Sequence, residues 1–361
     1  MPLVKIEPTL LVFYGSIGGS PVEEAFSRVQ ETITLDLLDR AKFTSKILAT
    51  NSYYLAETAK KQAIVEICGS PFHFGQSLRR LINKYKIAAP FYIGGGFPLL
   101  TASEIENIAN LLQDQESCVI SNNFYSADMV AFTPGSSIDI IELPEEDNPL
   151  ARLLVEQAGL RFIPLTRSVS NQFDVDTPTD LLLLGLHPCW KGIVQGNLNM
   201  DDSRLRAAMA CFRDKKAEVL VFGRVNSHVW SRLESQTQCR IRLWAEERGL
   251  KSEGRLESKK ARSLAGFLLE KMDFHSFFNT LAQMADAAFI DSRVLFAHFN
   301  LSVSRKDRFY SDMGNFREIE NAFVREFTRA SVESSIPVVL GGHSLVSGGM
   351  LLLLELMPDK L

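Results

Sequence analysis

Asp174 and Asp176 form the first of two segments whose residue types suit chemistry. They lie two positions apart and are followed directly by Thr177 and Pro178. Two carboxylates at this spacing are suited to holding Mg²⁺ beside phosphate groups. Thr followed by Pro is a frequent helix start, since Thr caps the first turn and Pro lacks an N–H that would be unpaired there. Either a metal site at Asp174 and Asp176 or a capped helix with two solvated acids fits this pattern.

The second segment is Gly341–Gly349, which reads GGHSLVSGG and follows the strand-like Pro337–Leu340. A histidine in a turn between a strand and a helix can act as a general acid or base near neutral pH. His343 is therefore a candidate catalytic residue, and Ser344 or Ser347 could donate to a phosphate. The alternative is that the glycines allow close packing and His343 is a structural hydrogen-bonding group.

Several loops could bind anions. The glycine-rich stretch Gly15–Pro21 precedes a helix, where backbone N–H groups can hold phosphate oxygens. Gly94–Gly96 would permit a ligand to approach the backbone closely. Arg293 and Arg308 could each bind a carboxylate or phosphate with two parallel hydrogen bonds. The alternatives are ordinary turns for the glycines and surface ion pairs for the arginines.

Alternating apolar runs and amphipathic stretches predict an α/β fold with a mostly parallel sheet. In the helix after Gly94–Gly96, Ser103 with Glu106 matches a capping box. In the first half we expect strands at Leu10–Tyr14, Lys46–Thr50, Ala63–Cys68, Phe91–Gly94, Cys118–Ser121 and Met129–Thr133. In the second half we expect strands at Ala217–Phe222, Cys239–Ala245, Val294–Phe299 and Pro337–Leu340, and a helix over Phe274–Phe289.

A connector at Gly185–Met200 contains Pro188 and three glycines and has no helical period. It predicts two domains, over residues 1–190 and 191–361. The first would be a three-layer α/β domain, and the second another α/β domain of Rossmann-like type with unknown function. Ligands of such sheets lie at the carboxyl ends of the strands.

Bulk composition narrows the class of protein. The net charge is -4, with 39 basic and 43 acidic residues, which gives no reason to expect a nucleic acid or an anionic membrane as partner. The runs Leu181–Leu186 and Met350–Met357 are too short to span a bilayer. Reduced thiols, and hence a cytoplasmic protein, are expected because the five cysteines are scattered without a CxxC pair. These are Cys68, Cys118, Cys189, Cys211 and Cys239.

The stretch Asp174-x-Asp176-Thr177-Pro178-x-Asp180-Leu181 resembles the closing motif of nucleotidyltransferases with a glycosyltransferase-A-like fold. Examples are the molybdenum-cofactor guanylyltransferases, the methylerythritol cytidylyltransferases and the 2-phospholactate guanylyltransferases, with the strongest resemblance to the last. Gly75–Tyr85 is similar to the helix before the central strand of that family, and Phe91–Ile105 to the strand, Pro-Leu-Leu and capped helix that follow. The resemblance covers the N-terminal half of the chain.

The resemblance implies that the chain binds a nucleoside triphosphate or a sugar nucleotide and transfers a nucleoside monophosphate to a small phosphorylated or acidic acceptor. Asp174 and Asp176 would hold Mg²⁺, and Asp176 would be catalytic. No nucleic acid or membrane partner is implied, and a homo-oligomer is left open. The residues expected to bind the nucleotide are Gly15, Ser16, Gly18, Gly19, Gly95, Gly96, Asn122 and Asn123.

The sequence also departs from the family pattern. Gly96 stands where the family has a metal-binding Asp, and the glycine-rich loop has no Lys or Arg before Arg28. Ser121–Ser126 replaces a Gly-Gly-Thr-Asn-like segment. Two hypotheses therefore stay open. One is an active nucleotidyltransferase. The other is a degenerate nucleotide-binding or scaffold module whose C-terminal domain has a separate function around His343.

Overall fold

The computed structural model describes residues 6–16, 18–198, 200–250 and 253–357. The chain falls into two compact units. Unit 1 comprises Met1–Ile17 and Gln30–Gln172, and unit 2 comprises Gly18–Val29 and Phe173–Leu361. The sequence analysis places the domain boundary near residue 190, whereas the units divide at Phe173. The helix that follows Phe173 belongs to unit 2 because it packs against the last strand and the last helix of the chain.

Unit 1 alternates strands and helices, and the six strands expected from the sequence are all present within two residues of their expected bounds. One further strand, β7, had not been predicted. The elements are β1 Thr9–Tyr14, α1 Pro21–Arg40 (in unit 1 from Gln30), β2 Lys46–Thr50, α2 Tyr53–Ala59, β3 Ile64–Ile67, α3 Phe74–Tyr85, β4 Pro90–Gly94, α4 Ala102–Gln113, β5 Cys118–Ser121, β6 Met129–Thr133, α5 Leu150–Glu156, β7 Arg161–Pro164 and α6 Val169–Gln172.

The sheet of unit 1 has the strand order β3-β2-β1-β4-β6-β5-β7, in which only the pairs of β6 are antiparallel. Alternate residues of β1 enter different cores: Leu10 and Val12 pack in one cluster, Leu11 and Phe13 in the other. Helices α1 and α4 contribute to the first cluster, and α3 and α5 to the second. Both faces of the sheet are therefore covered, which confirms the three-layer α/β architecture.

Unit 2 is also α/β, as predicted. Its elements after Phe173 are α7 Pro178–Leu184, α8 Lys191–Asn197, α9 Ser203–Cys211, β8 Glu218–Gly223, α10 Ser227–Gln236, β9 Arg240–Ala245, α11 Leu264–Leu269, α12 Phe274–Ala282, β10 Ala287–Asp291, α13 Ser292–His298, α14 Arg305–Asp312, α15 Ala322–Val332, β11 Val338–Gly341 and α16 Gly348–Leu356.

The sheet of unit 2 is fully parallel, with the order β11-β10-β8-β9. From β8 the chain crosses to β9 on one side, whereas from β10 it crosses to β11 on the other. The strand order therefore reverses between β8 and β10. At such a reversal the loops leave the sheet in opposite directions and open a crevice at the carboxyl ends of the strands.

Two sequence-based predictions in unit 2 are wrong. The helix expected over Phe274–Phe289 ends at Ala282 and is followed by β10, and the strand expected at Val294–Phe299 is part of helix α13. The wrongly assigned residues, 287–289 and 294–299, are mainly apolar, and a buried apolar run has no alternation by which a strand can be told from a helix. The helical state of the second run is set by Asp291, whose side chain accepts a hydrogen bond from the Arg293 N–H and caps α13.

The start of α4 also differs from the expected one. The capping box is formed by Thr101 and Glu104 and not by Ser103 and Glu106. We expect Thr101→Ala to lower the free energy of unfolding by about 1 kcal/mol, because an N–H of the first turn loses its acceptor. Ser103→Ala is the matched control and should cost a few tenths of a kcal/mol. Urea denaturation of both variants measures the difference, and equal losses would contradict the assignment of the cap.

No helix in the described part of the chain is both long and apolar enough to cross a membrane.

Candidate functional site

The segment before α7 folds as the sequence predicts. Thr177 is the N-cap, Pro178 is the first helical residue, and Asp180 completes a capping box. One carboxylate oxygen of Asp180, Oδ2, accepts hydrogen bonds from the Asp176 N–H at 3.1 Å, the Thr177 N–H at 2.8 Å and the Thr177 hydroxyl at 2.8 Å. These bonds fix the backbone of Asp176, whose side chain is exposed.

This segment lies at the carboxyl end of β11. The Thr179 hydroxyl donates to the Leu340 carbonyl at 2.7 Å, and the Ser344 hydroxyl donates to the Asp174 carbonyl at 2.7 Å. His343 therefore lies within electrostatic reach of Asp176. The two residues that the sequence analysis names as catalytic, far apart in the chain, are brought together in unit 2.

Two further residues, at the carboxyl ends of β8 and β10, lie close to His343. Arg224 comes directly after β8 and Asp291 is the last residue of β10, on either side of the reversal in strand order. The Arg224 guanidinium donates to both carboxylate oxygens of Asp291, from Nε at 2.6 Å and from Nη2 at 3.1 Å. We call Asp176, Arg224, Asp291 and His343 the edge cluster.

Gly223 permits the close approach of β8 and β10 in the edge cluster. Its φ of +124° is one that side-chain-bearing residues rarely adopt, and a Cβ atom there would lie 2.4 Å from the Cβ of Asp291. Burial would raise the pKa of the Asp291 carboxyl, but the neighbouring charge and hydrogen bonds of Arg224 hold it below its usual range. Asp291 is thus an ionised, fully buried partner that fixes the guanidinium of Arg224.

His343 is a neutral imidazole at pH 7. Burial and the positive charge of Arg224 lower its pKa to about 4, against the smaller opposing effects of Asp291 and Asp176. The backbone of Arg224 also opposes the lowering of this pKa, and its effect is the smallest. In a neutral imidazole one ring nitrogen can accept a hydrogen bond or a proton.

A second buried ion pair, between Arg293 and Asp312, lies near the edge cluster, since the charge of Arg293 acts on Asp291. Arg293 donates to both carboxylate oxygens of Asp312 at 2.6 Å, and Nη1 also donates to the Ser292 hydroxyl at 2.9 Å. Although burial opposes it, the charge of Asp312 raises the pKa of Arg293. Arg293 does bind a carboxylate through two parallel hydrogen bonds, as the sequence suggests, but that carboxylate belongs to the same unit.

Asp180 and Arg308 have polar side-chain atoms without a partner among the described residues. Burial and the charge of Asp176 raise the pKa of Asp180 to about 7, and its Oδ1 has no hydrogen-bond partner among the described residues. The Arg308 backbone N–H donates to the Ser304 carbonyl at 3.1 Å, but its guanidinium has no hydrogen-bond or ion-pair partner within the described part of the chain. Burial and the like charges of Arg293 and Arg305 lower its pKa.

The glycine-rich stretch Gly15–Gly19 is divided between the units, and its Ile17 lies outside the described residues. In unit 1 the Ser16 N–H already donates to the Asn51 side chain at 2.6 Å. In unit 2 the Ser20 hydroxyl donates to Glu23, and the first turn of α1 contains two acids, Glu23 and Glu24. Carboxylates at a helix N-terminus repel a phosphate.

Gly95 and the pair Asn122 and Asn123 have structural roles in unit 1. A Cβ atom on Gly95 would lie 2.6 Å from the Thr34 hydroxyl oxygen, so a glycine is needed there for packing against α1. The Asn122 side chain donates to a backbone carbonyl at 3.0 Å, and Asn123 accepts a hydrogen bond from a backbone N–H at 3.1 Å. Their role in nucleotide binding, like that of Gly96, stays a prediction.

A resident metal ion does not fit the described residues. They contain no group of three or more His, Cys, Asp or Glu side chains placed to hold one. Asp174 and Asp176 could supply two ligands at most, which is the number that Mg²⁺ commonly takes from a protein when the rest come from substrate phosphates and water. Mg²⁺ that arrives with a nucleotide stays a prediction, and no step below depends on it.

Asp176, His343, Arg293 and Arg308 are identifiable as candidates from the sequence. Four further residues were not recognised as parts of the same site, namely Arg224, Asp291, Asp180 and Asp312. For Arg224 a signal exists, since it comes just after the predicted strand Ala217–Phe222 and the carboxyl ends of parallel strands converge on one edge. For Asp291 that signal was missed, because the residues before it were predicted to be helical. For Asp312, the last residue of a polar helix, the sequence provides no comparable signal.

No protein-family model and no curated protein sequence matches the chain. Solved structures similar to about half of it include a putative nucleotide-diphospho-sugar transferase from Desulfovibrio desulfuricans, with 15% identity over 52% of this chain and 88% of that one, and a TM-score of 0.40. A cytidylyltransferase from Leptospira borgpetersenii has 16% identity over 52% and 87%, with a TM-score of 0.40. A nucleotidyl transferase from Methanothermobacter has 13% identity over 49% and 95%, with a TM-score of 0.38.

These similarities are too weak to assign the chain to a family or to transfer an activity to it. A function can therefore be inferred only from the residues of the chain itself.

Proposed function

We propose that the edge cluster of unit 2 binds a phosphorylated ligand with hydroxyl groups, namely a nucleotide or a sugar nucleotide. The observation that supports this most is the convergence of Asp176, Arg224 and His343 where the strand order of a parallel sheet reverses. Crevices of this kind are the usual ligand sites of open α/β sheets. The three side chains supply one cation, one neutral imidazole and one exposed carboxylate.

Arg224 would bind the phosphate. Its Nε and Nη2 are committed to Asp291, and Nη1 donates to no described residue. Because Asp291 fixes the guanidinium, little side-chain entropy is lost when Nη1 binds a phosphate oxygen. Asp176 and the acceptor nitrogen of His343 are suited to the hydroxyl groups of the ligand.

The same arrangement would support transfer to a small acceptor. The neutral His343 could remove the proton from an acceptor hydroxyl, whose oxygen attacks the α-phosphorus of a nucleoside triphosphate while the bond to the leaving pyrophosphate breaks. Arg224 would stabilise the charge that develops on the phosphate that is attacked. A general base of this kind commonly contributes a factor of about 10²–10⁴ to the rate.

Binding without transfer is the second candidate. The acidic first turn of α1 favours it, because Glu23 and Glu24 replace the cationic phosphate loop that the nucleotidyltransferase hypothesis needs. The same site would then present or sense the ligand.

Thermal unfolding of the full chain against GTP, CTP, ATP, UTP and sugar nucleotides, with and without Mg²⁺, tests the proposal. A ligand at about 100 times its dissociation constant adds about 2.7 kcal/mol to the stability, which raises the melting temperature. We expect one ligand class to do so. Asp176→Asn and His343→Gln should each weaken its binding by about tenfold, because each removes a polar contact worth about 1.4 kcal/mol.

Glu234→Gln is the matched control, since Glu234 is an exposed acid of α10 in the same unit and should leave binding unchanged. No shift with any ligand would refute the proposal. A shift that neither Asp176→Asn nor His343→Gln reduces would place the ligand elsewhere. A Mg²⁺ requirement would show that the metal enters with the nucleotide.

A further inference from the structure

Glu246 is the first residue after β9 and lies at the same edge of the sheet as Arg224. Its N–H donates to the carbonyl of Gly223 at 2.9 Å, and Gly223 pairs with Ala245 in the parallel register of β8 and β9. Glu246 therefore stands one strand away from Arg224, on the side opposite Asp291. Neighbouring strands are about 4.8 Å apart.

Among the described residues, only one of the two oxygens of the Glu246 carboxylate has a hydrogen-bond donor. Its Oε1 accepts a hydrogen bond from the Leu264 N–H at 3.1 Å, at the start of α11. Its Oε2 is buried and has no hydrogen-bond partner among the described residues. The next residue, Glu247, is the opposite case, because Arg255 donates to both of its oxygens and the Arg262 N–H donates at 3.0 Å.

A buried carboxylate oxygen without a donor is costly, and native structures seldom keep one without a purpose. Hydroxyl groups are suitable donors to a carboxylate, and a carboxylate can accept from two adjacent ones. An acid at the end of the second strand of a βαβ unit, beside a phosphate site at the end of the first, lies at a suitable distance from the hydroxyls of a phosphorylated sugar.

Given the proposed function, on which this inference rests, we propose that Glu246 binds the vicinal hydroxyls of the ribose of the ligand. Arg224 binds the phosphate at β8, and the sugar extends toward β9. The expected ligands are therefore ribonucleotides, which the site would bind more tightly than analogues that lack the 2′ and 3′ hydroxyls. The edge cluster alone does not define this ligand class.

The experiment compares the affinity of the full chain for GTP, CTP, ATP and UTP with that for the four 2′,3′-dideoxy analogues. We expect the ribonucleotide that binds to be at least tenfold tighter than its dideoxy analogue, because a site built for a hydroxyl leaves its own polar group unpaired when the hydroxyl is missing. Glu246→Gln should weaken the ribonucleotide about tenfold and leave the dideoxy analogue unchanged. Glu234→Gln should change neither.

The possible failures are distinguishable. Equal affinity of the unmodified chain for a ribonucleotide and its dideoxy analogue would overturn the role of Glu246 while leaving the proposed function intact. An equal loss for both ligands in Glu246→Gln would also overturn it, since the variant would then act on the site in general. Absence of binding by every nucleotide would overturn the proposed function and this inference together.

Discussion

Replacing Asp312 with alanine is expected to lower the free energy of unfolding by about 3–5 kcal/mol, because it leaves a buried guanidinium without its partner. The Asp312 side chain is fully buried and that of Arg293 is 13% exposed, and the two form hydrogen bonds at 2.6 Å through both pairs of atoms. Urea denaturation of the full chain, followed by circular dichroism, measures the loss.

The matched control is an ion pair on the same helix that solvent reaches. Lys306 and Glu320 form one, with the Glu320 side chain 78% exposed. Glu320→Ala should cost less than about 1 kcal/mol. The double variant Arg293→Met with Asp312→Leu should recover most of the loss, since apolar side chains of similar size can replace a buried ion pair. Similar losses for Asp312→Ala and Glu320→Ala would contradict the burial of the pair.

Local sequence signals predicted much of the fold. Thr177 and Pro178 start a helix because the cap and the missing N–H act within one turn, and no distant residue is needed to satisfy them. Six of the seven strands of unit 1 were predictable because each is a short apolar run between polar turns. Strand β7 was not, since it begins with Arg161 and none of its residues is fully buried. The misplaced cap at Ser103 shows the limit, because Thr101 and Ser103 are both suitable and only the geometry of the first turn decides.

The candidate site was only partly predictable, because its residues meet through the order of the strands. His343 and Asp176 were each identified by type and context, but nothing local shows that α7 starts at the carboxyl end of β11. That placement depends on contacts such as the one between the Thr179 hydroxyl and the Leu340 carbonyl. The pairing of Arg293 with Asp312 is equally non-local, and an arginine of this kind is indistinguishable in sequence from one in a surface ion pair.

The charges at the carboxyl edge of the unit 2 sheet favour a phosphate ligand there over one at the glycine-rich stretch. Arg224 is a fixed cation, and His343 is kept neutral by burial and by that cation. At the N-terminus of α1 the side chains are acidic and the Ser20 hydroxyl is already used. A phosphate gains charge-assisted hydrogen bonds at the first location and meets repulsion at the second.

The second large effect concerns pH. Burial and Asp176 raise the pKa of Asp180 to about 7 in the folded protein, from 3.8 in the unfolded chain. Between these values the folded state holds a proton that the unfolded state has lost, so Asp180 lowers stability as pH rises from about 4 to about 7 and adds no further change above that. The cost that results above pH 7 is about 4 kcal/mol. Asp180→Asn should remove it, because the amide oxygen can still accept from the Thr177 N–H.

We therefore expect Asp180→Asn and the unmodified chain to have similar stability near pH 4, and the variant to be more stable by up to about 4 kcal/mol at pH 8. Urea denaturation at each pH gives the difference curve. His343 has the opposite dependence, because its lowered pKa costs stability as pH falls from about 6.5 to about 4. That contribution is present in both proteins and cancels in the difference. Glu234→Gln is the control and should give a flat difference curve. A flat curve for Asp180→Asn would contradict the prediction, since it would mean that Asp180 is ionised in the folded protein across this pH range and is stabilised by Arg293.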